Sequence, residues 1–92
     1  MGKVYLDGYL EVPLDRIAAV AAALPAHIAL TRAEPGCLAF SVSQNPDVPT
    51  HFEVSEVFAD QAAFETHQQR ASTSAWAKVT AGLSRHYSIR TE

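Results

Sequence analysis

The sequence predicts an α+β fold, a four-stranded antiparallel sheet with helices on one face, in the ferredoxin-like βαββαβ arrangement. Four short segments alternate apolar and polar residues with a period of two. Between them lie segments whose apolar residues fall three and four apart. Their order is strand, helix, strand, strand, helix, strand, and two strand–helix–strand halves of this length close most simply as one sandwich. Residues 1–92 are therefore expected to form a single domain.

The first strand is KVYLDGYLEV, residues 3–12, with Val4, Leu6, Leu10 and Val12 on one side and Tyr5, Asp7, Tyr9 and Glu11 on the other. Gly8 falls among the apolar set, where a missing side chain opens space, and Pro13 ends the strand. Residues 14–33 carry Ile17, Val20, Ala21, Leu24 and Ile28 at helical spacing, with Asp15 positioned to cap the start. Pro25 interrupts the backbone ladder and is expected to kink this helix or split it in two. In the turn Glu34-Pro35-Gly36, proline fixes one dihedral and glycine permits a positive one.

The second strand, CLAFSVSQ (37–44), sets Leu38, Phe40 and Val42 against Cys37, Ala39, Ser41 and Ser43. NPDVP is a loop. The third strand, THFEVSEVF (50–58), sets Phe52, Val54, Glu56 and Phe58 against His51, Glu53, Ser55 and Val57. Asp60 can cap the following helix, because its carboxylate accepts the free amide hydrogens of a first turn. Ala63, Phe64 and His67 share one stripe of that helix. Ser72 or Ser74 restarts a helical stretch bearing Trp76, Val79 and Leu83, and RHYSIRT (85–91) is the last strand, with Tyr87 and Ile89 facing one way.

Of the 92 residues, 48% are hydrophobic and only 18% charged, a lean surface for so small a domain. A chain this short buries only about two-thirds of its unfolded surface, and oligomerisation is a common remedy. Tyr5, Tyr9, Ala39 and Val57 fall on the sheet face opposite the helices, which a second copy packing sheet to sheet would cover. A homodimer is the expectation. The net charge of −3 and the scattering of seven basic residues argue against nucleic acid. Cys37 is the sole cysteine, which excludes an intrachain disulfide and fits a reducing cytosol. The N-terminus lacks a basic start followed by an apolar run. The longest apolar stretch, IAAVAAALPAHIAL, is interrupted by Pro25 and His27 and reads as too short to span a bilayer. The expectation is a soluble, cytoplasmic protein with no membrane partner.

TRAEPGCLAF at 31–40 and FEVSEVFADQAAFETH at 52–67 resemble the antibiotic biosynthesis monooxygenase family, also described as quinol monooxygenases. That family shows a similar arginine-bearing helix end and a Glu-Pro-Gly-Cys turn. It also shows a strand with Glu-x-Trp-x-Asp leading to a helical Ala-x-x-x-His. The joint occurrence at this spacing, with the strand order, extends the likeness over nearly the whole chain. The resemblance implies a dimeric α+β barrel with a cavity between each sheet and its own helices. It further implies oxidation of phenolic or quinol-like substrates by O2 without metal, flavin or other cofactor; some relatives degrade haem. On this pattern His67 matches the family's helical histidine and Phe58 its strand-end tryptophan. Phenylalanine keeps the apolar wall but lacks the indole N–H donor. The second histidine of many relatives is absent, and QQRASTSAW stands in its place.

A phenol ionised to phenolate is electron-rich enough to reduce O2, so the substrate supplies what a cofactor otherwise would. The protein must take a proton, hold the ring and exclude water. His67 is the natural base, since an unperturbed imidazole titrates near ~6.5. Glu56 shares a face with Phe58 and can orient a hydroxyl or the histidine; its structural alternative is a pair with Arg32 or a link between subunits. Phe40, Phe52, Phe58, Phe64 and Trp76 can line a slot for a flat ring, or simply form core. His51 and Glu53 lie two apart on one strand face, but two ligands without a third do not make a metal site. No nucleophile elbow, phosphate loop or dinucleotide fingerprint is present. The alternative function is a non-catalytic dimeric module that binds a hydrophobic small molecule, or haem, in a stress response.

Overall fold

A computed structural model of the chain describes residues 2–92. Strand β1 is Val4–Glu11, followed by a single 3-10 turn, Leu14–Arg16, and helix α1, Ile17–Arg32. Then come β2 (Cys37–Gln44), β3 (His51–Phe58), α2 (Gln61–Ala71), α3 (Ala75–Val79) and β4 (Arg85–Thr91). The strands lie in the order β2-β3-β1-β4, every neighbouring pair antiparallel, which is the ferredoxin-like sheet. The alternation read from the sequence sets its inner face. Val4, Leu6 and Leu10, with Val12 just beyond, meet Phe52, Val54 and Phe58, and Phe40 and Val42 extend the layer on β2. Val20 of α1 and Phe64 of α2 close the core from above. Glu56 stands in the middle of this face, in register with Phe40 on one side and Leu6 on the other, with Ile89 one strand further.

Several local expectations are corrected. The register of β2 against β3 shifts between Cys37 and Ala39, so one extra residue bulges there. Leu38 is turned out, 53% exposed, and Cys37 packs on the core instead. Helix α1 runs unbroken through Pro25. The residue four back, Ala21, is exposed, so the carbonyl that Pro25 leaves without a donor is open to water. Asp15 caps nothing. It lies within the 3-10 turn, which is closed by Arg16 N–H donating to the Pro13 carbonyl at 2.9 Å.

Gly36 does not take a positive φ; a Cβ there would lie 2.3 Å from the Ala63 Cβ, so the glycine is required by the close approach of α2. Gly8 does have a positive φ of 150°, and a Cβ on it would meet the His86 carbonyl of β4 at 2.0 Å. Leu83 lies beyond α3, which ends at Val79. Of the two candidate caps, Ser74 serves α3, and Asp60 caps α2 by accepting from the Ala63 N–H at 2.8 Å. The helical run Leu14–Arg32 has 19 residues and is long and apolar enough to cross a bilayer by length and composition, contrary to the shorter estimate from the sequence. Here it is one layer of the sandwich, with Val20, His27 and Thr31 buried beneath it.

The outer face of the sheet is more polar than expected. Tyr9 is sandwiched between His51 at 4.0 Å and His86 at 4.6 Å, and Arg90 sits 4.4 Å over the Tyr5 ring. Asp7 accepts from Ser55 at 3.0 Å, and Glu11 meets His86 at 3.2 Å. Val57 is half-buried and Ala39 exposed.

Candidate functional site

Helical spacing puts Val20, Leu24, His27 and Thr31 on the side of α1 that faces the sheet. Helix α2 brings His67 down from the opposite flank, α3 adds Trp76, and β3 and β4 supply Glu56, Tyr87 and Ile89 from below. These elements do not meet completely. They enclose a cavity of about 260 Å³ lined by Leu6, His27, Glu56, His67, Trp76 and Tyr87, with Gln68, Ser72 and Arg85 among the residues at its border.

His67 is buried, 3% exposed, with its ring 4.9 Å from that of Phe58 and 5.8 Å from Phe40. Its Nδ1 is 3.2 Å from Glu34 Oε2. That oxygen also accepts from Arg70 Nε at 2.9 Å and lies 2.8 Å from Nη2 in an ion pair, while Arg70 Nη2 donates to the Thr31 hydroxyl at 2.8 Å. A carboxylate paired with a guanidinium is an acceptor, so the imidazole proton belongs on Nδ1 and the Nε2 lone pair is free. Nε2 faces Glu56 Oε1 across 4.0 Å, too far for a hydrogen bond.

Burial depresses the His67 pKa below the ordinary imidazole value, with the Glu34 hydrogen bond and charge opposing it. Burial lowers His27 to about 4, helped by Arg70 and His67. Glu56 is pushed up to about 7, mainly by burial and then by the charge of Glu34. Burial likewise lifts the Tyr87 phenol to about 12. Near neutral pH the cavity is therefore lined by uncharged imidazoles and a phenol, with one carboxyl poised between its two forms. Such groups can take up and release protons near neutral pH, with the Arg85 guanidinium as the fixed charge at the border.

His67, Glu56 and Trp76 come together at the cavity. Phe40 and Phe58 do not line it; they support the His67 ring from behind. Phe52 and Phe64 do not line it either and belong to the core, where Phe64 packs 5.7 Å from Phe58. Arg32 does not pair with Glu56 but donates to the Phe40 carbonyl at 3.1 and 2.9 Å. His51 and Glu53 are on the outer face, and among the described residues no three metal-ligating side chains converge. Sequence reading missed His27, Glu34 and Arg70. His27 was available from the spacing of α1, three residues after Leu24, and Arg70 from its position three after His67. Glu34 was read only as part of a turn.

A sheet and its own helices around one small cavity lined by imidazoles, a carboxyl and aromatic rings define the class, an α+β sandwich with a candidate small-molecule site. The sequence profile of the antibiotic biosynthesis monooxygenase family matches residues 4–79, and the chain belongs to that family. Among solved structures, protein SO0527 of Shewanella oneidensis is similar with 25% identity and a TM-score of 0.79, over 99% of this chain and 91% of that one. PA3566 of Pseudomonas aeruginosa is similar with 25% identity and a TM-score of 0.75, over 100% and 93%. Rv0793 of Mycobacterium tuberculosis shares the fold at 21% identity and a TM-score of 0.71, over 98% and 92%. No curated protein matches the sequence.

Proposed function

We propose that this protein is a cofactor-independent monooxygenase that oxidises a small quinol- or polyphenol-like aromatic with O2, with His67 as the base. The observation that carries the reading is the line Glu34–His67–Glu56 at the wall of the cavity. Glu34 holds the imidazole proton on Nδ1, and the 4.0 Å gap from Nε2 to Glu56 is left open. An oxygen about 2.8 Å from both atoms fits that gap with an angle of about 90° between its two bonds. A phenolic hydroxyl there donates to Nε2 while it accepts from Glu56 in its protonated form.

Proton transfer to His67 leaves a phenolate, which passes one electron to O2. Superoxide and the aryl radical recombine at a ring carbon, and loss of water gives the product. One quinol and one O2 become one hydroxyquinone and one water, so atoms and electrons balance without a further reductant. Leu6, Trp76 and the buried aromatics behind His67 keep bulk water away from the reactive oxygen species. The cavity, about 260 Å³, lies just under the ~300 Å³ at which drug-sized sites begin. That suits one or two fused rings and argues against a porphyrin as the guest.

The reading includes a homodimer through the outer sheet face, where the Tyr9 stack and the Tyr5 ring offer flat aromatic area; sedimentation analysis tests it. The second reading is a binding module without turnover, which the same small cavity would serve. Oxygen consumption with candidate quinols separates the two. Oxidation should require both the protein and O2, and His67→Ala should lower turnover at least about tenfold. A rate that persists without O2 refutes the proposal.

A further inference from the structure

We infer that His27 and Trp76 form the specificity-determining wall of the cavity, holding a second oxygen of the guest while His67 and Glu56 hold the first. The inference rests on the cavity being the site of an oxygenated aromatic, and it assigns roles to two residues that the proton-transfer chemistry does not use.

His27 is 94% buried, with 6% of its surface exposed, and it lines the cavity. Among the described residues no hydrogen bond reaches either ring nitrogen; Nδ1 is enclosed by protein, and Nε2 is the nitrogen left open to a guest. A buried imidazole with nothing to bond costs free energy, and folds rarely retain such a group where a plain apolar residue would pack as well. The ring is not loose. It lies flat on Trp76, with centroids 4.7 Å apart and planes inclined by 6°, and its edge meets the Phe40 face at 5.4 Å. Trp76 lines the same wall, and its indole N–H has no partner among the described residues. The stack holds the two rings in parallel planes on that wall.

The chemistry of the pair suits an oxygen that changes character during oxidation. Burial keeps His27 neutral, so it carries one N–H and one lone pair. With that proton on Nδ1, the open Nε2 accepts from a hydroxyl before turnover, while the indole donates to the hydroxyl and to the carbonyl that replaces it. The His27 and His67 rings are 6.1 Å apart between centroids, so both imidazoles border the same small space.

The test is binding without turnover. Naphthohydroquinone and naphthol, which differ by one hydroxyl, are titrated calorimetrically into wild-type protein under anaerobic conditions. The same titrations are run on His27→Phe, which keeps the stack, and on Trp76→Phe, which keeps a ring and removes the N–H. The wild type should bind the two-hydroxyl guest about tenfold tighter than naphthol. His27→Phe should bring that ratio close to one, and Trp76→Phe should cut it about threefold, whatever change in affinity the two guests share. The naphthol arm reports that each variant is folded. An unchanged ratio in both variants, equal loss for both guests, or a wild type that does not discriminate overturns the inference. Selective binding with no O2-dependent oxidation overturns the monooxygenase reading and leaves this one standing; no binding of either guest overturns both.

Discussion

Replacing Glu56 by glutamine keeps the shape of the side chain and removes its ionisation, and the expected result is a gain in stability that depends on pH. The carboxyl is 7% exposed, has no hydrogen-bond partner among the described residues, and stands 4.0 Å from His67 Nε2. Burial, then the charge of Glu34, moves its pKa from 4.5 to about 7. The native state therefore binds more protons than the unfolded chain between those values, and stability falls as pH rises through that window. Below 4.5 both states are protonated and ionisation costs nothing; above about 7 both are ionised and the cost is fully developed. That span, at about 1.4 kcal/mol per pH unit, amounts to about 3 kcal/mol. Urea unfolding followed by circular dichroism across the window should show Glu56→Gln level with wild type at its acid end. Above its alkaline end the variant should be more stable by about 3 kcal/mol, or upward of about 10 °C in Tm. The same variant should keep turnover, because the glutamine amide still donates to the hydroxyl that protonated Glu56 orients. A stability difference that stays flat with pH would mean that Glu56 is not held in the protonated form by burial, and the account of the cavity would fail with it.

Gly36→Ala should destabilise by about 1–3 kcal/mol in the same unfolding assay, since its Cβ would lie 2.3 Å from that of Ala63; a neutral result would mean that α2 is free to move away. Glu34→Gln should lower turnover about tenfold, and the acid limb of kcat/KM should move to lower pH, because the carboxylate that raises the His67 pKa is gone. An unmoved limb would remove Glu34 from the role of orienting the base. Asp60→Ala should cost about 1 kcal/mol through loss of the cap to the Ala63 N–H, read by thermal unfolding.

How legible the fold was depended on how local each decision is. The inward faces of β1 and β3 followed from period-two alternation because each is paired on both sides and buried on one, so register cannot slip without exposing the whole apolar set. The start of β2 did not follow. A bulge at Leu38 is a property of how β2 meets β3, and alternation within CLAFSVSQ alone carries no trace of it. Pro25 misled for the opposite reason. The rule that proline breaks a helix concerns the local ladder, while α1 is held along its length by packing on the sheet, and the lost hydrogen bond falls on its wet side. Asp15 had the chemistry of a cap, but a 3-10 turn took its position.

At the site, the residues found from sequence were those on one element with an obvious stripe. The missed ones are joined through space: Thr31 on α1, Glu34 in the turn and Arg70 on α2 form one chain of hydrogen bonds that ends on His67. Spacing links 31 with 34 and 67 with 70, but only the fold brings the two pairs together. The same geometry recasts the substitution at position 58. Phe58 is fully buried behind the His67 ring and lines no part of the cavity, so an N–H missing at that position is not missing from the cavity wall. The indole that does reach the wall comes from α3, as Trp76, stacked on a histidine that the family motif does not include. A residue's distance from the motif is thus a poor guide to its distance from the guest, and the chemistry of this cavity is better sought in its unpaired polar atoms than in the positions that the motif names.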